Sequence, residues 1–572
     1  MRHQSYTDFH QESRFARKEE VMQDAKKICL KDKSFEEAGI PLMVSGDEIY
    51  VDSKDHHNLI LGATGSGKTR RLILILIHLL LHTFSSLIVV DVKGQLKRMT
   101  SGLAKKLGWE VVVLDLREFK HGECWNPLAE PYRLYHSGEK DLAFGMLSDF
   151  MDGLAAKQDK KTADAFWPGM AKSFGNAILQ LMVECLPENL CNVTNFVELC
   201  SERNFEKLQK LSRQLDYASN TAAAFRGIYS CAEKTRQSIE VSLFEMIKIF
   251  TLNTCMTNMM SNSTFDLHQF GKQKTIVYIE IADEKPTFHA IASMFIKQIY
   301  EVLVKDASEY PEETLPVPVH FVIDEFCNIP KIENMANMIT AARSRNIFLT
   351  LVVQSYRQLV GLYGDDSDTI KGNCQNWYYL FSREYAMLEE ISKLCGEITE
   401  ADGTKRKLIS VSELQRLKMG EMLVMHDRLY PYVTYFPDIS EYKFEQYPPI
   451  RNNRISKEKM AIVDIEKISR LIRDEDMPIP FSEEIPAIDR VEQILRQKEE
   501  ERRRKRESEI RKKSRRDRLN LANAKKEEEK RQKEMDEIQK ELEEKFNELF
   551  GTLDESEEDP YDDWDDFCSW DD

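Results

Sequence analysis

The feature that most constrains the fold is a glycine-rich loop at Gly62–Thr69, which reads GATGSGKT. It fits the pattern G-x-x-x-x-G-K-[ST] and lies between an apolar segment, NLIL, and a longer one, RRLILILIHLLL. Glycines let successive backbone N–H groups turn toward phosphate oxygens, and the following helix N-terminus adds its positive dipole end. A glycine turn before an ordinary helix is the alternative, and the flanking strand and helix disfavour it.

The loop therefore predicts a nucleotide site. In this interpretation Lys68 contacts the β- and γ-phosphates of ATP, and the hydroxyl of Thr69 binds Mg²⁺. The predicted nucleotide-binding residues are Gly62, Thr64, Gly65, Ser66, Gly67, Lys68 and Thr69.

Apolar runs that alternate with helical segments indicate an α/β fold. The runs LIVVD, VVVLD, IVYIE and FVID are apolar until they reach an acidic residue. This is typical of strands that are buried on both faces of a parallel sheet. Hairpins are expected in IPLMVSGDEIYVDS, before the first core strand, and in EMLVMHDRLYPYVTYF, near the end of the domain.

Two carboxylates at the end of one of these strands supply the second half of the predicted site. The strand HFVI runs into Asp324 and Glu325. Asp324 is expected to hold Mg²⁺, and Glu325 to orient and deprotonate the attacking water, so that hydrolysis is expected. A strand that ends in Asp-Glu is weak evidence alone and becomes strong beside the phosphate loop. Gln354 follows the strand NIFLTLVV, where a polar side chain can sense the γ-phosphate.

Changes of periodicity divide the chain into segments. Between 138 and 264 strand-like runs disappear and apolar residues follow a helical period, which predicts an all-α domain inserted into the sheet domain. Prolines and charges indicate a linker further on. The predicted segments are a polar N-terminal arm (1–40), the two parts of the nucleotide-binding domain (41–137 and 265–447), the all-α domain (138–264), the linker (448–490), a charged helix or coiled coil (491–550) and an acidic disordered tail (551–572).

The C-terminal extension concentrates charge. Between Lys498 and Lys533 there are seventeen basic and nine acidic residues, which fits either a solvated helix with i,i+4 ion pairs or a nucleic-acid contact. The tail from Gly551 has eleven acidic residues, no basic one and four aromatic residues, which suggests a recognition motif for a basic partner or a nucleic-acid mimic. A stripe suited to a coiled coil or docking contact lies between them: Met535, Ile538, Leu542, Phe546 and Leu549.

Composition excludes several classes of protein. The eleven cysteines form no C-x-x-C pair and have no matching histidine cluster, so neither disulfides nor a structural zinc site is expected. The charged N-terminal residues argue against a secretory signal or an N-terminal membrane span, and the most apolar stretch, 72–81, is too short to cross a bilayer. We expect a cytoplasmic protein that reaches the membrane through a partner.

The ordered set of motifs resembles the TraG-like coupling proteins of conjugative type IV secretion systems. The matching segments are HHNLILGATGSGKT, VVDVKGQ, WNPL, the helical insertion, HFVIDEF and VVQS, within residues 40–440. The resemblance implies a RecA-like P-loop ATPase that assembles as a hexamer around single- or double-stranded DNA. Such a motor brings DNA bound to a relaxase to the secretion channel, whose ATPase or inner-membrane components are its further partners.

The resemblance also implies roles for single residues. Lys68 and Thr69 would carry the first nucleotide motif, Asp324 and Glu325 the second, and Gln354 the third. An arginine in the helix after the second motif would act as a finger in the neighbouring subunit's site. Arg343, in the segment AARSRN, is the first candidate, with Arg345 and Arg357 as alternatives.

Two features depart from the family pattern. Most members begin with membrane-spanning helices, which we do not find here, so a separate membrane-anchor protein or a cytosolic mode of action is expected. Gln95 stands where the family often has glutamate, which puts a role for that carboxylate in doubt. The alternatives to a DNA translocase are an FtsK/HerA-like DNA pump, a protein-secretion ATPase, and an ATP-gated docking receptor that hydrolyses little ATP.

Overall fold

The structure is a computed structural model of the chain. The residues that it describes are 13–32, 34–155, 166–284, 286–400, 402–455 and 460–471, with seven isolated positions between 532 and 545. The predicted charged helix, apart from those isolated positions, and the predicted acidic tail lie outside the described residues.

A small antiparallel sheet stands near the N-terminus. Its strands are β1 (Lys26–Cys29), β2 (Ile40–Ser45) and β3 (Glu48–Asp52), in the order β1-β3-β2. Strands β2 and β3 form the first predicted hairpin, whose turn includes Gly46 at a φ of 62°. Strand β1 comes from the polar arm, for which the sequence alone suggested no role.

The central sheet has nine strands and is mostly parallel, as predicted. The order is β14-β13-β10-β4-β9-β8-β5-β7-β6, and the strands from β10 to β6 are parallel. Strands β13 and β14 form the predicted closing hairpin at the antiparallel edge. The bounds are β4 (His57–Leu61), β5 (Ser86–Asp91), β6 (Glu110–Asp115), β7 (Thr275–Glu280), β8 (Val319–Ile323), β9 (Ile347–Val353), β10 (Cys374–Tyr379), β13 (Glu421–Met425) and β14 (Tyr432–Tyr435), and a separate two-stranded sheet is formed by β11 (Glu397–Thr399) and β12 (Lys405–Lys407).

Helices flank the sheet and fill the insertion between β6 and β7. In that insertion the described residues from 129 to 259 include helices but no strand. The α-helices are α1 (Lys18–Asp24), α2 (Leu74–Leu81), α3 (Gln95–Lys106), α4 (Ala129–His136), α5 (Lys140–Ala155), α6 (Phe166–Cys185), α7 (Val193–Leu199), α8 (Glu202–Ser212), α9 (Asn220–Tyr229), α10 (Glu233–Leu252), α11 (Thr254–Met259), α12 (His289–Ser308), α13 (Met335–Ala342), α14 (Tyr356–Tyr363), α15 (Asp366–Gly372), α16 (Tyr385–Leu394), α17 (Val411–Leu414) and α18 (Ile465–Leu471).

Helix α2 is apolar around its whole circumference because it is enclosed by two sheets. Leu76 and Ile77 pack in the same cluster as residues of the central sheet, whereas Ile75 and Leu79 pack against the small sheet. A helix that is apolar on every side must be buried, and all of its residues except His78 are. None of the helices in the described part of the chain combines the length and apolar character needed to cross a bilayer.

Candidate nucleotide site

Strand order brings the predicted motifs together at one edge of the sheet. Strands β4, β9 and β8 are adjacent and parallel, with Leu61 of β4 in register with Val353 of β9. The phosphate loop follows β4, Gln354 follows β9, and Asp324 follows β8. In open α/β sheets ligands bind outside the carboxyl ends of the strands, and these segments all lie there.

The loop has the backbone conformation that its glycines allow. Gly65 and Gly67 have φ angles of 80° and 97°, where other residues are strained. A Cβ atom on Gly62 would approach the Ser66 hydroxyl to 2.6 Å. That Ser66 Oγ is buried and has no hydrogen-bond partner among the described residues, which fits a loop built for an anionic ligand.

Lys68 closes the loop onto itself. Its Nζ atom donates to the carbonyl oxygen of Gly62 and, at 3.1 Å, to that of Ala63. Only 5% of the residue is exposed, and burial lowers the pKa of the Lys68 ammonium against the opposing effect of Glu325 and Asp324. The ammonium therefore lies under the loop, next to the space that phosphates would enter.

Thr69 and Asp324 bring two side-chain oxygen atoms close together beside the phosphate loop. The Thr69 hydroxyl lies 3.4 Å from Oδ2 of Asp324, and Oδ1 of Asp324 accepts from the Glu325 backbone N–H at 3.1 Å. Burial, followed by the nearby Glu325 carboxylate, raises the pKa of Asp324 to about 7. A hydroxyl and a carboxylate at this distance are a suitable donor set for Mg²⁺, which prefers oxygen ligands.

Glu325 is hydrogen-bonded to the phosphate loop through Gln354. Nε2 of Gln354 donates to Oε2 of Glu325, and Oε1 of Gln354 accepts from the Thr64 hydroxyl at 3.2 Å. Glu325 itself is buried and has a φ of 54°, a strained value for a residue other than glycine. Strain at a buried acid beside a phosphate loop is typical of a functional site.

The sequence matches the family model described as Type IV secretory system Conjugative DNA transfer, over residues 4–418. The chain belongs to this family. Its relatives include the Protein VirD4 of Agrobacterium fabrum, 23% identical over 328 residues that cover 55% of this chain and 45% of the relative. The VirD4 of Rhizobium radiobacter is 24% identical over 362 residues, with 61% and 49% covered. The chain thus spans about half the length of the curated relatives that it matches.

Solved structures of the conjugative coupling protein TrwB have the same fold. TrwBdeltaN70 in complex with sulphate gives a TM-score of 0.57 at 13% identity, over 79% of this chain and 98% of that chain. TrwB in complex with ADP and Mg²⁺ gives 0.55 at 15% identity, over 78% and 96%. TrwB with the ATP analogue ADPNP gives 0.54 at 16% identity, over 78% and 97%. The predicted family and fold class are both confirmed.

The structure separates the three arginines suggested by the family resemblance. Arg343 begins a short 3₁₀ turn, Arg343–Arg345, directly before β9, at the amino edge of the sheet. Its side chain is exposed and forms no hydrogen bond or ion pair with the residues that the structure describes. The length of β9, at about 3.3 Å per residue, puts it roughly 23 Å from Gln354. Arg343 is therefore remote from the site of its own chain.

The other two arginines have different surroundings. Arg345 donates to the Ala341 carbonyl and to the Ser344 hydroxyl, both at 3.0 Å. Arg357 lies on α14, at the carboxyl edge, where its backbone N–H donates to Glu384 at 3.0 Å. The predicted site residues of one chain thus converge, apart from Arg343.

Around Gln95 the structure shows contacts of Asp91 and Glu280 that the sequence analysis did not predict. The Asp91 carboxylate accepts from the backbone N–H groups of Gln95 and Lys97, at 3.0 and 2.8 Å, whereas the Gln95 amide points to the sulfur of Met99. Lys97 forms an ion pair of 2.8 Å with Glu280, the last residue of β7. The acidic end of the run IVYIE was the available signal for Glu280.

Proposed function

We propose that this chain is an ATP-hydrolysing, Mg²⁺-dependent DNA translocase that recruits relaxase-bound DNA and delivers it to a type IV secretion channel. One observation carries the proposal: Thr64, Gln354 and Glu325 form a continuous hydrogen-bonded chain between the phosphate loop and a buried acid. An acid in this position suits the activation of water beside the terminal phosphate. A protein that only binds nucleotide does not need it.

Binding of ATP would replace contacts that the loop now makes with itself. The backbone N–H groups of the loop would hold the phosphates, and the Ser66 hydroxyl would gain the partner that it lacks among the described residues. The Lys68 ammonium would exchange its carbonyl partners for β- and γ-phosphate oxygens. The nucleotides named for TrwB, namely ADP with Mg²⁺ and analogues of ATP and GTP, support a nucleoside triphosphate as the ligand.

Thr69 and Asp324 would hold Mg²⁺ through their side-chain oxygens. When bound, Mg²⁺ neutralises charge on the β- and γ-phosphate oxygens. The short distance between the two side chains supports this assignment, because both oxygens could contact one ion without a large movement of either side chain. Asp324 would bind the ion as a carboxylate, since positive charge beside it favours the ionised form.

Glu325 would orient the attacking water and accept its proton. Gln354 would hold the Glu325 carboxylate through its amide nitrogen and contact the Thr64 hydroxyl of the phosphate loop through its amide oxygen. A γ-phosphate that occupies the space next to Thr64 would compete for the hydroxyl of that residue. Loss of the γ-phosphate would then restore the contact between Thr64 and Gln354, which couples the state of the nucleotide to the position of the acid.

Arg343 would complete the site of a neighbouring subunit in a hexamer. Its exposure and its remoteness from its own site support action in trans. Such fingers contribute about 10³ to 10⁵ in rate in the characterised cases. Membership of the family supports DNA, relaxosome proteins and the inner-membrane components or ATPase of the channel as partners. A separate membrane-anchor protein would recruit the cytoplasmic chain to the membrane.

Steady-state ATPase activity with and without DNA tests the proposal. We expect low basal turnover, stimulation by DNA, and near-complete loss of activity in Lys68→Ala and Glu325→Gln. Glu118→Gln is the matched control, because Glu118 is an exposed acid at the same edge of the sheet, after β6. Equal activity in all these proteins would overturn the motor assignment. Binding of a relaxase without hydrolysis would favour the ATP-gated docking receptor instead.

A further inference from the structure

A second cluster of metal-ligating side chains lies away from the nucleotide site. Asp52 ends β3, His56 precedes β4, and His426 follows β13. One donor atom from each of these three residues lies within 4.8 Å of the other two. The three therefore converge although up to 374 positions separate them in the sequence.

The inward-facing atoms of the cluster form one continuous set. Nδ1 of His56 lies 2.8 Å from Oδ2 of Asp52, and the same oxygen accepts from the Asn376 amide at 2.5 Å. Nδ1 of His426 pairs with the side-chain oxygen of Asn376. Two imidazole nitrogens, a carboxylate oxygen and an amide oxygen are thus linked by side-chain contacts, with the Asn376 amide bridging Asp52 and His426.

The outward-facing nitrogens both point to carboxylates. Nε2 of His426 lies 2.6 Å from Oδ2 of Asp24, and Nε2 of His56 lies 3.9 Å from Oδ2 of Asp427. Metal-ligating histidines nearly always donate their second ring N–H to a carboxylate, a carbonyl or water, which fixes the ring and its tautomer. His426 has this arrangement, whereas the distance from His56 to Asp427 is too long for a direct hydrogen bond.

The charges of the cluster call for a cation. Lys54 forms an ion pair of 2.7 Å with Asp24. Asp52 has a side chain only 2% exposed and, when the imidazoles are neutral, contacts no positive charge among the described residues. A carboxylate buried in this way needs a compensating positive charge. Asp427, nearer the surface, adds a further negative charge.

We propose that Asp52, His56 and His426 bind one divalent transition-metal ion of the Zn²⁺ type, with the Asn376 side-chain oxygen as the fourth donor. Zinc binds imidazole nitrogen and carboxylate oxygen at about 2.0 to 2.2 Å, which sets tetrahedral ligand atoms roughly 3.3 Å apart. The donor atoms of the three residues lie within 4.8 Å of one another, so the ligands would move closer together on binding the ion. Imidazole with carboxylate suits Zn²⁺ and similar ions, whereas Ca²⁺ and Mg²⁺ prefer oxygen alone.

A surface cavity gives the metal a route to these ligands. Asp52, His56 and Asn58 line a cavity of about 200 Å³, which also borders the polar residues Lys54 and Thr350. The side chain of His56 is 11% exposed, whereas that of His426 is fully buried. The ion would therefore enter from the His56 side.

The metal would have a structural role. Its ligands and their partners come from the end of β3 in the small sheet, from β10 and from the segment after β13 in the central sheet, and from the end of α1. One ion would join the small sheet to the antiparallel side of the central sheet. Binding of an ion across such distant segments adds its binding free energy to the stability of the folded state.

Metal content of the full chain tests this proposal without reference to ATPase activity. The purified chain is stripped with a chelator, incubated with Zn²⁺ alone, dialysed and analysed for metal. We expect one equivalent of zinc per chain, and an increase in melting temperature of about 4 °C with saturating Zn²⁺ and none with Mg²⁺. Co²⁺ in place of Zn²⁺ should give the visible absorption of a tetrahedral site.

Variants assign the site. His56→Gln and Asp52→Asn should reduce bound zinc to background, whereas His121→Gln, at a half-buried histidine outside the cluster, should retain it. Lys68→Ala should also retain it, which separates this site from the nucleotide site. If Asp52→Asn does not fold, His56→Gln decides, because its side chain lies nearer the surface. Background zinc in the unmodified chain, or full zinc content in His56→Gln, would overturn the proposal and leave protonated histidines as the counter-charge of Asp52.

Discussion

Replacement of Gln354 by alanine isolates the contact on which the proposed mechanism depends. Gln354 holds the Glu325 carboxylate through its amide nitrogen and the Thr64 hydroxyl through its amide oxygen. Alanine removes both bonds but leaves the loop, the acid and the metal donors in place. The variant therefore tests positioning, because Gln354 would not itself exchange a proton with the reactants.

The magnitude follows from the hydrogen bond to the charged group. A hydrogen bond to an ionised partner contributes about 1.5 to 3 kcal/mol. Gln354 is half-buried, so water can partly replace it, and we take the lower part of this range. If the bond orients Glu325 in the transition state, its loss lowers kcat roughly 10- to 30-fold. The KM for ATP should change less than about twofold, because Lys68 and the loop remain.

Steady-state kinetics of ATP hydrolysis, with DNA present, measure this effect. Gln358→Ala is the matched control, because Gln358 is an exposed glutamine four positions further along, on α14. A variant with unchanged kcat would show that Gln354 does not position the acid. A variant in which KM rises while kcat stays constant would instead assign Gln354 to nucleotide binding.

Three further predictions concern the proposed metal donor Thr69, the proposed finger Arg343 and a half-buried histidine, His268. Thr69→Ala should raise the Mg²⁺ concentration for half-maximal activity by at least about tenfold. Thr69→Ser, which keeps the hydroxyl, should need the same Mg²⁺ concentration as the unmodified chain. A Mg²⁺ titration at fixed ATP measures both values. Subunits with Arg343→Ala mixed with Lys68→Ala subunits should partly regain ATPase activity, and absence of rescue in confirmed mixed assemblies would count against the finger. The hydrogen bonds that His268 donates to the Asp306 and Glu130 carboxylates raise the pKa of His268 to about 9. Because this value lies above the unfolded one, the stabilisation is complete below about pH 6.5 and is lost as pH rises through about 9. Because the His268 side chain is 21% exposed, solvent screening reduces this stabilisation to about 2 kcal/mol. The free energies of unfolding of the chain and of His268→Gln, measured by denaturant titration, should therefore converge between about pH 6.5 and 9.5.

The parts of the site that could be predicted are those encoded by local sequence. A loop such as Gly62–Thr69 and a strand that ends in Asp324 and Glu325 have fixed internal spacings. The carboxyl ends of parallel strands meet at one edge, so their meeting could also be expected. The two hairpins and the buried helix α2 were equally local, because turn residues and apolar periodicity lie within a few residues of each other.

The parts that could not be predicted depend on which segments pack side by side. Strand order places β9 between β4 and β8, and only this order lets Gln354 reach both Thr64 and Glu325. The cluster of Asp52, His56 and His426 brings together segments that are far apart in the sequence. A search for paired cysteines or short histidine spacings does not detect it, since His426 lies 370 positions after His56.

The direction of the parallel strands bears on the proposed role of Arg343 in the site of a neighbouring chain. The phosphate loop, Asp324 and Glu325 lie at the carboxyl edge of the parallel strands, and Arg343 lies at the amino edge. A two-fold dimer pairs the same surface of both subunits, so it does not generally bring one edge to the other. A head-to-tail contact does, and it repeats from subunit to subunit until the rotation closes a ring. The proposed hexamer would meet this requirement, because each Arg343 would then face the phosphates held by the next chain.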